Sequence, residues 1–198
     1  MKALLFADVT DPWAYIGSTR FERAAATFTI VSGEPIELTF RARLGEAGAL
    51  TVAEQDLASA AAKITGIDLN FAEVVPASSF DAWRMISWAG ESGPGVQRDL
   101  IHQLWRAHFL EGADVADPLV LSTRAALVGL ELETAEALLA SGEYADEVRT
   151  QDDTARSLSI AQLPHVVLET TWTLAGMHSQ NDYVQALRQV HAEWLGRT

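Results

Sequence analysis

At 198 residues, 48% of them hydrophobic, the chain can form one generous domain or a small domain with an insertion, and it is too apolar for general disorder. A net charge of −13 argues against nucleic acid and anionic membrane surfaces as partners, since both are held through basic patches. There is no cysteine, which removes disulfides, thiolate metal sites and any thiol nucleophile of the protein's own. No apolar run approaches the ~20 residues needed to span a bilayer. The single lysine and very short apolar run before Asp8 do not make a secretion signal, so a cytoplasmic protein is expected.

Ala3 to Phe6 is a short apolar run suited to a buried strand. After it, Phe21, Ala24, Ala25 and Phe28 recur at the spacing of one helical face. The junction carries a helix-start signal. Asp11 can cap the helix, and Pro12 suits its first position because the missing N–H would be unpaired there anyway. A helix end opening at this turn is a ready site for negative charge. Gly33-Glu34-Pro35 then turns the chain into Ile36 to Leu44, where apolar and polar residues alternate as in a half-buried strand. Strand, helix, strand at this spacing is a βαβ unit with parallel strands.

From Gly45 the character changes. Thr51 to Ile64 is Ala-rich and predicts a helix, and Gly66 to Ser79 an irregular loop. Further helices are predicted over Phe80 to Ala89 (capped by Ser79), Val96 to Leu110, Leu119 to Leu130 behind Asp117-Pro118, Ala135 to Ala140 behind Thr134, and Tyr144 to Leu158. Leu163-Pro164 precedes a hairpin formed by Val166 to Glu169 and Thr171 to Leu174. Val184, Leu187, Val190, His191 and Trp194 close the chain as an amphipathic helix. The order is β-α-β, a helical block, then β-β-α. Without the block, this is the element order of a thioredoxin core, so the fold class is α/β with a large all-helical insertion. The expected division is 1–45 and 151–198 for the core and 46–150 for the insertion.

The stretches Phe80-Asp81-Ala82-Trp83-Arg84, Ala89-Gly90-Glu91, Glu111-Gly112 and Ser141 to Val148, with Leu163-Pro164 and Gln185-Ala186-Leu187, carry a resemblance that covers nearly the whole chain. It resembles the DsbA-like thioredoxin-fold proteins, in particular the FrnE-type oxidoreductases. These are related to 2-hydroxychromene-2-carboxylate isomerases and kappa-class glutathione transferases. In that family the turn before the first helix reads Cys-Pro-Trp-Cys, followed by Tyr-Ile-Gly. Here Pro12, Trp13, Tyr15, Ile16 and Gly17 are kept, with Asp11 and Ala14 where the cysteines would stand. The family's dithiol exchange cannot run on such residues. The glutathione-using relatives carry Ser at the first position, which Asp11 does not match. Trp83 replaces a family His. The resemblance also implies that Leu163-Pro164 is a cis-proline step packed beside the active turn.

The candidate groove is therefore Asp11, Pro12, Trp13, Ala14, Leu163, Pro164 and His165, with no catalytic residue assigned. Asp11 reads either as a plain helix cap or as a carboxylate standing where the thiolate would be. A carboxylate at a helix N-terminus should have a lowered pKa and make a poor base at neutral pH. His165 could lie near the turn, or strand alternation could carry it away. His102 and His108 are six apart on different helical faces, and His178 and His191 lack carboxylate company, so no metal site is expected. Trp83, Trp88 and Trp105 read as core or pocket wall. The leading expectation is a redox-inactive relative, monomer or homodimer, that binds a small molecule or peptide without a cofactor. The alternative is an isomerase or transferase dependent on glutathione or another small thiol, although a thiolate beside Asp11 would meet a like charge.

Overall fold

A computed structural model describes residues 1–45 and 50–196. Its frame is a four-stranded sheet of β1 (Lys2–Ala7), β2 (Glu37–Ala42), β3 (His165–Leu168) and β4 (Trp172–Ala175), in the order β2-β1-β3-β4. β1 pairs parallel with β2 and antiparallel with β3, and β3 and β4 form the expected hairpin. Between β1 and β2 runs α1 (Pro12–Ser32), which packs against α8 (Gln180–Leu195). Ala3, Leu5 and Ala7 of β1 and Val166 and Leu168 of β3 are buried in the main core with Phe21, Phe28 and Leu187 of these helices. The alternate face carries Phe6, which packs with Ala155 and Ile160 in a small second cluster.

The insertion supplies α2 (Val52–Thr65), α3 (Phe80–Glu91), α4 (Pro94–Phe109), α5 (Pro118–Leu127) and α6 (Leu132–Ala140), followed by α7 (Ala145–Ser157). The expected boundary at 150/151 falls inside α7, a continuous helix that packs against both α3 and β2. Positions 46–49, at the start of the expected insertion, and 197–198, at the end of the expected core, lie outside the described residues. Helices of the block seal the free edge of β2. Gln97 Oε1 accepts from Phe40 N–H at 2.9 Å, Gln151 Oε1 from Ala42 N–H at 2.8 Å and Asp152 Oδ1 from Leu44 N–H at 2.9 Å. Side chains thus take the place of a fifth strand, which removes an aggregation-prone edge.

Several boundaries differ from expectation, each for a local reason. The helix expected behind Thr134 starts earlier, at Leu132, because Glu131 rather than Thr134 is the cap: its carboxylate accepts from the Glu133 and Thr134 N–H groups. α8 likewise starts before the first apolar residue, where Ser179 and Asp182 form a reciprocal capping box. Ser79 holds the N-cap position of α3 without a side-chain bond, and Ser78 Oγ accepts from Phe80 N–H instead. α5 ends at Leu127, short of the predicted Leu130.

Candidate functional site

The turn between β1 and α1 is held at its base by Asp8. That side chain is 1% exposed, yet its carboxylate is well supplied with donors. Oδ2 accepts from Gly45 N–H at 2.6 Å and Thr10 Oγ1 at 3.1 Å, and Oδ1 from Trp83 Nε1 at 3.4 Å. The Asp8 backbone carbonyl accepts from Trp105 Nε1 at 3.1 Å. Both tryptophans come from the insertion, so the helical block is fastened to the turn through this one residue. Trp83, expected as core or wall, is fully buried and acts as a hydrogen-bond donor here. His108, also buried, has its pKa lowered by burial, and its Nδ1 has no hydrogen-bond partner among the described residues.

Three residues on, Asp11 caps α1 as expected. Its extended backbone leaves Oδ1 to accept from Trp13 N–H at 2.7 Å and Ala14 N–H at 3.0 Å. The expected lowering of its pKa is overturned. Burial outweighs the two N–H bonds and, with a smaller push from the Asp8 charge, raises the carboxyl from 3.8 to about 6. The residue as a whole is only partly buried and lines a cleft.

Pro164 closes the site from the other side. The Leu163–Pro164 bond is cis, as expected. Its ring lies so close to α1 that a Cβ on Gly17 would fall 2.5 Å from Pro164 Cδ and 2.6 Å from Cγ, so only glycine fits there. The Pro164 carbonyl accepts from Gly176 N–H at 2.9 Å, tying the strap to the end of β4. A cleft of about 410 Å³ opens between the turn and this strap. Asp11, Trp13 and Leu163 line it, joined by Gln162, Gly176 and Met177, which sequence reasoning did not single out. Pro12, Ala14 and Pro164 are buried behind the wall. His165 pairs with Phe6 across the sheet and so shares its face, turned from the main core, where burial lowers its pKa. It is not among the cleft-lining residues. Gly17 was visible in the Tyr-Ile-Gly stretch; Met177 and Gln162 carry no local signal, being brought in by the hairpin.

Histidines elsewhere have ordinary partners. His102 Nε2 lies 2.8 Å from Glu22 Oε1, and His178 packs edge-on to Tyr183. Among the described residues no group of three or more His, Asp or Glu is placed to hold a metal, and no helix is long and apolar enough to cross a membrane.

This sheet order, with a helix opening at the β1 turn and a cis-proline against it, defines a thioredoxin-like fold with a helical insertion. The DSBA-like thioredoxin domain family matches residues 4–188, and the chain belongs to it. No curated protein matches the sequence. Among solved structures, the chain is similar to the probable DsbA oxidoreductase SCO1869 of Streptomyces coelicolor, with 27% identity, a TM-score of 0.85, and coverage of 98% of this chain and 91% of that one. The cytosolic disulfide reductase DsbM of Pseudomonas aeruginosa, solved with GSH, is 18% identical over 97% of this chain and 100% of its own, with a TM-score of 0.71. A 2-hydroxychromene-2-carboxylate isomerase shares the fold at 15% identity and a TM-score of 0.63, covering 100% of this chain and 97% of that one.

Proposed function

We propose that this chain is a redox-inactive DsbA-like protein of the FrnE type that uses the cleft beside Pro164 to hold a small molecule or peptide. The observation that carries the reading is the pair of residues at the first turn of α1. Asp11 spends one oxygen on the helix N–H groups, and Ala14 is a buried methyl. Thiol–disulfide exchange requires an attacking thiolate and a partner sulfur, and the chain has neither. The scaffold around the missing sulfurs is retained, namely the capped helix end, the close Gly17–Pro164 packing and an open cleft. A small-thiol-dependent isomerase or transferase is the less favoured reading. With a pKa of about 6, Asp11 remains mostly ionised at neutral pH, and it would oppose a thiolate at the same helix end. A cytoplasmic setting suits a chain with no disulfide to maintain, and a cleft lined by residues of one chain suits a monomer or a homodimer.

Two measurements test this. With dithiothreitol supplying the electrons, the wild-type protein is expected to leave insulin reduction at its uncatalysed rate; acceleration above that rate overturns the reading. The double variant Asp11→Cys, Ala14→Cys should form an intramolecular disulfide in glutathione buffer, because residues three apart across a helical turn have Cα atoms about 5–6 Å from each other. Thiols that stay free in strongly oxidising buffer, or that pair only between molecules, show that these are not the family's cysteine positions.

A further inference from the structure

We propose that the cleft recognises a positively charged group on its ligand, a primary ammonium or a guanidinium, with Asp11 as the counter-ion. This rests on the groove reading above and names the chemistry that the groove selects. Both helix N–H groups bond to the same oxygen, Oδ1, so Oδ2 accepts from no group among the described residues. Asp11 nevertheless lines the cleft, and among the described residues it is the only charged one that does. It takes part in none of the ion pairs found among the described residues, which use Glu34, Asp81, Asp99, Glu111, Asp146, Asp152 and Glu22. A carboxylate half-removed from water and left without a cation is in a costly state that a cationic ligand relieves.

The helix end does not reverse this preference. Its partial charge is roughly +0.5, against a full negative charge on the carboxylate, so the mouth stays negative. The remaining wall also suits a cation on an apolar stem. Trp13 offers an aromatic surface, Met177 a polarisable thioether and Leu163 an aliphatic side. An anion would meet Asp11 with no basic side chain to offset it. A neutral alkyl group would bury apolar surface but leave Oδ2 unpaired.

The probes are butylammonium, butylguanidinium, butanol and butyrate, added to ¹⁵N-labelled protein at pH 7.5 and followed through the amide spectrum. Butylammonium and butylguanidinium should shift the Trp13, Ala14 and Gly176 signals saturably, with a dissociation constant on the order of millimolar for so few atoms. Butanol and butyrate should bind about tenfold more weakly or not at all, a difference of about 1.4 kcal/mol or more. Asp11→Asn, which keeps an acceptor for the helix N–H groups, should lose the preference for the cations. Equal binding of butanol, or a cation preference that survives in Asp11→Asn, overturns the assignment and leaves the groove reading standing. Absence of any butylammonium shift at these amides also overturns it. The groove reading is then decided separately by panning a random heptapeptide library on the wild-type protein. A consensus without Lys or Arg that maps to the cleft keeps that reading, and no consensus at the cleft removes both.

Discussion

The base and the tip of one turn treat the same residue type in opposite ways. At the base, Asp8 is fully enclosed and gathers donors from β1's own turn, from Gly45 and from Trp83 of the insertion. At the tip, Asp11, which lines an open cleft, satisfies one oxygen on the helix and leaves the other without a hydrogen bond among the described residues. Neither is placed by hydrophobicity. The difference is how many donors converge: several for Asp8, which makes it a fastening for the helical block, and two on a single oxygen for Asp11, which leaves it available. The fastening lies three residues before the residue that lines the cleft.

The turn is most sensitive to substitution at its base. Asp8→Ala strips the acceptors from Gly45 N–H, Thr10 and the Trp83 indole and leaves buried donors unpaired. About 2–4 kcal/mol of stability should be lost, given the worth of hydrogen bonds to a charged group. Chemical denaturation measures the loss, and the Trp83 indole N–H resonance should shift more than any other tryptophan's. A loss below about 0.5 kcal/mol, the range of an ordinary surface change, removes Asp8 from this role.

Next in size is the packing that shapes the cleft. Gly17→Ala places a methyl within 2.6 Å of the Pro164 ring, and the strap must move. Overpacking of this kind costs about 1–3 kcal/mol. The Gly176 amide, bonded to the Pro164 carbonyl, should exchange faster with solvent. Unchanged stability together with unchanged exchange would mean that Pro164 does not rest on α1.

The smallest effect sharpens the contrast at the tip. Asp11 has a pKa of about 6 folded against an ordinary 3.8, so the folded protein binds this proton more tightly than the unfolded chain does. Its contribution to stability is therefore greatest below pH 3.8, falls as pH rises toward 6 and is level above that. Asp11→Asn keeps the cap but not the charge. The difference in unfolding free energy, wild type minus variant, should decline between pH 4 and 6. At pH 7 the variant should be the more stable by about 1–2 kcal/mol, the full shift being discounted because the group is partly solvated. A difference that stays level through this window and instead falls as pH drops below 3.8 would show a depressed pKa and return Asp11 to the role of a simple cap.

Much of the site could be read before the fold. Asp11-Pro12 announced the helix start, and the absence of cysteine settled what chemistry the turn lacks. The resemblance placed Pro164 opposite the turn with its cis bond. The pKa of Asp11 was expected in the wrong direction because a sequence shows the helix end that stabilises the charge but not the burial that destabilises it. Glu131 was passed over as a cap because Glu is an uncommon capping residue; in the structure, its longer side chain reaches the N–H groups that Thr134 was expected to satisfy.

Local spacing determined the strand–helix–strand opening, the helical block, the hairpin and the capped turn, since each depends on periodicity and on backbone groups within a few residues. Tertiary structure alone decided that Asp8 would be enclosed and Asp11 left open. It also sealed the edge of β2 with Gln97 and Gln151, turned His165 to the far face and brought Gln162 and Met177 to the cleft. Those outcomes depend on which distant donors, carbonyls and apolar walls converge on one point, and desolvation follows from that convergence rather than from any residue's neighbours in the chain.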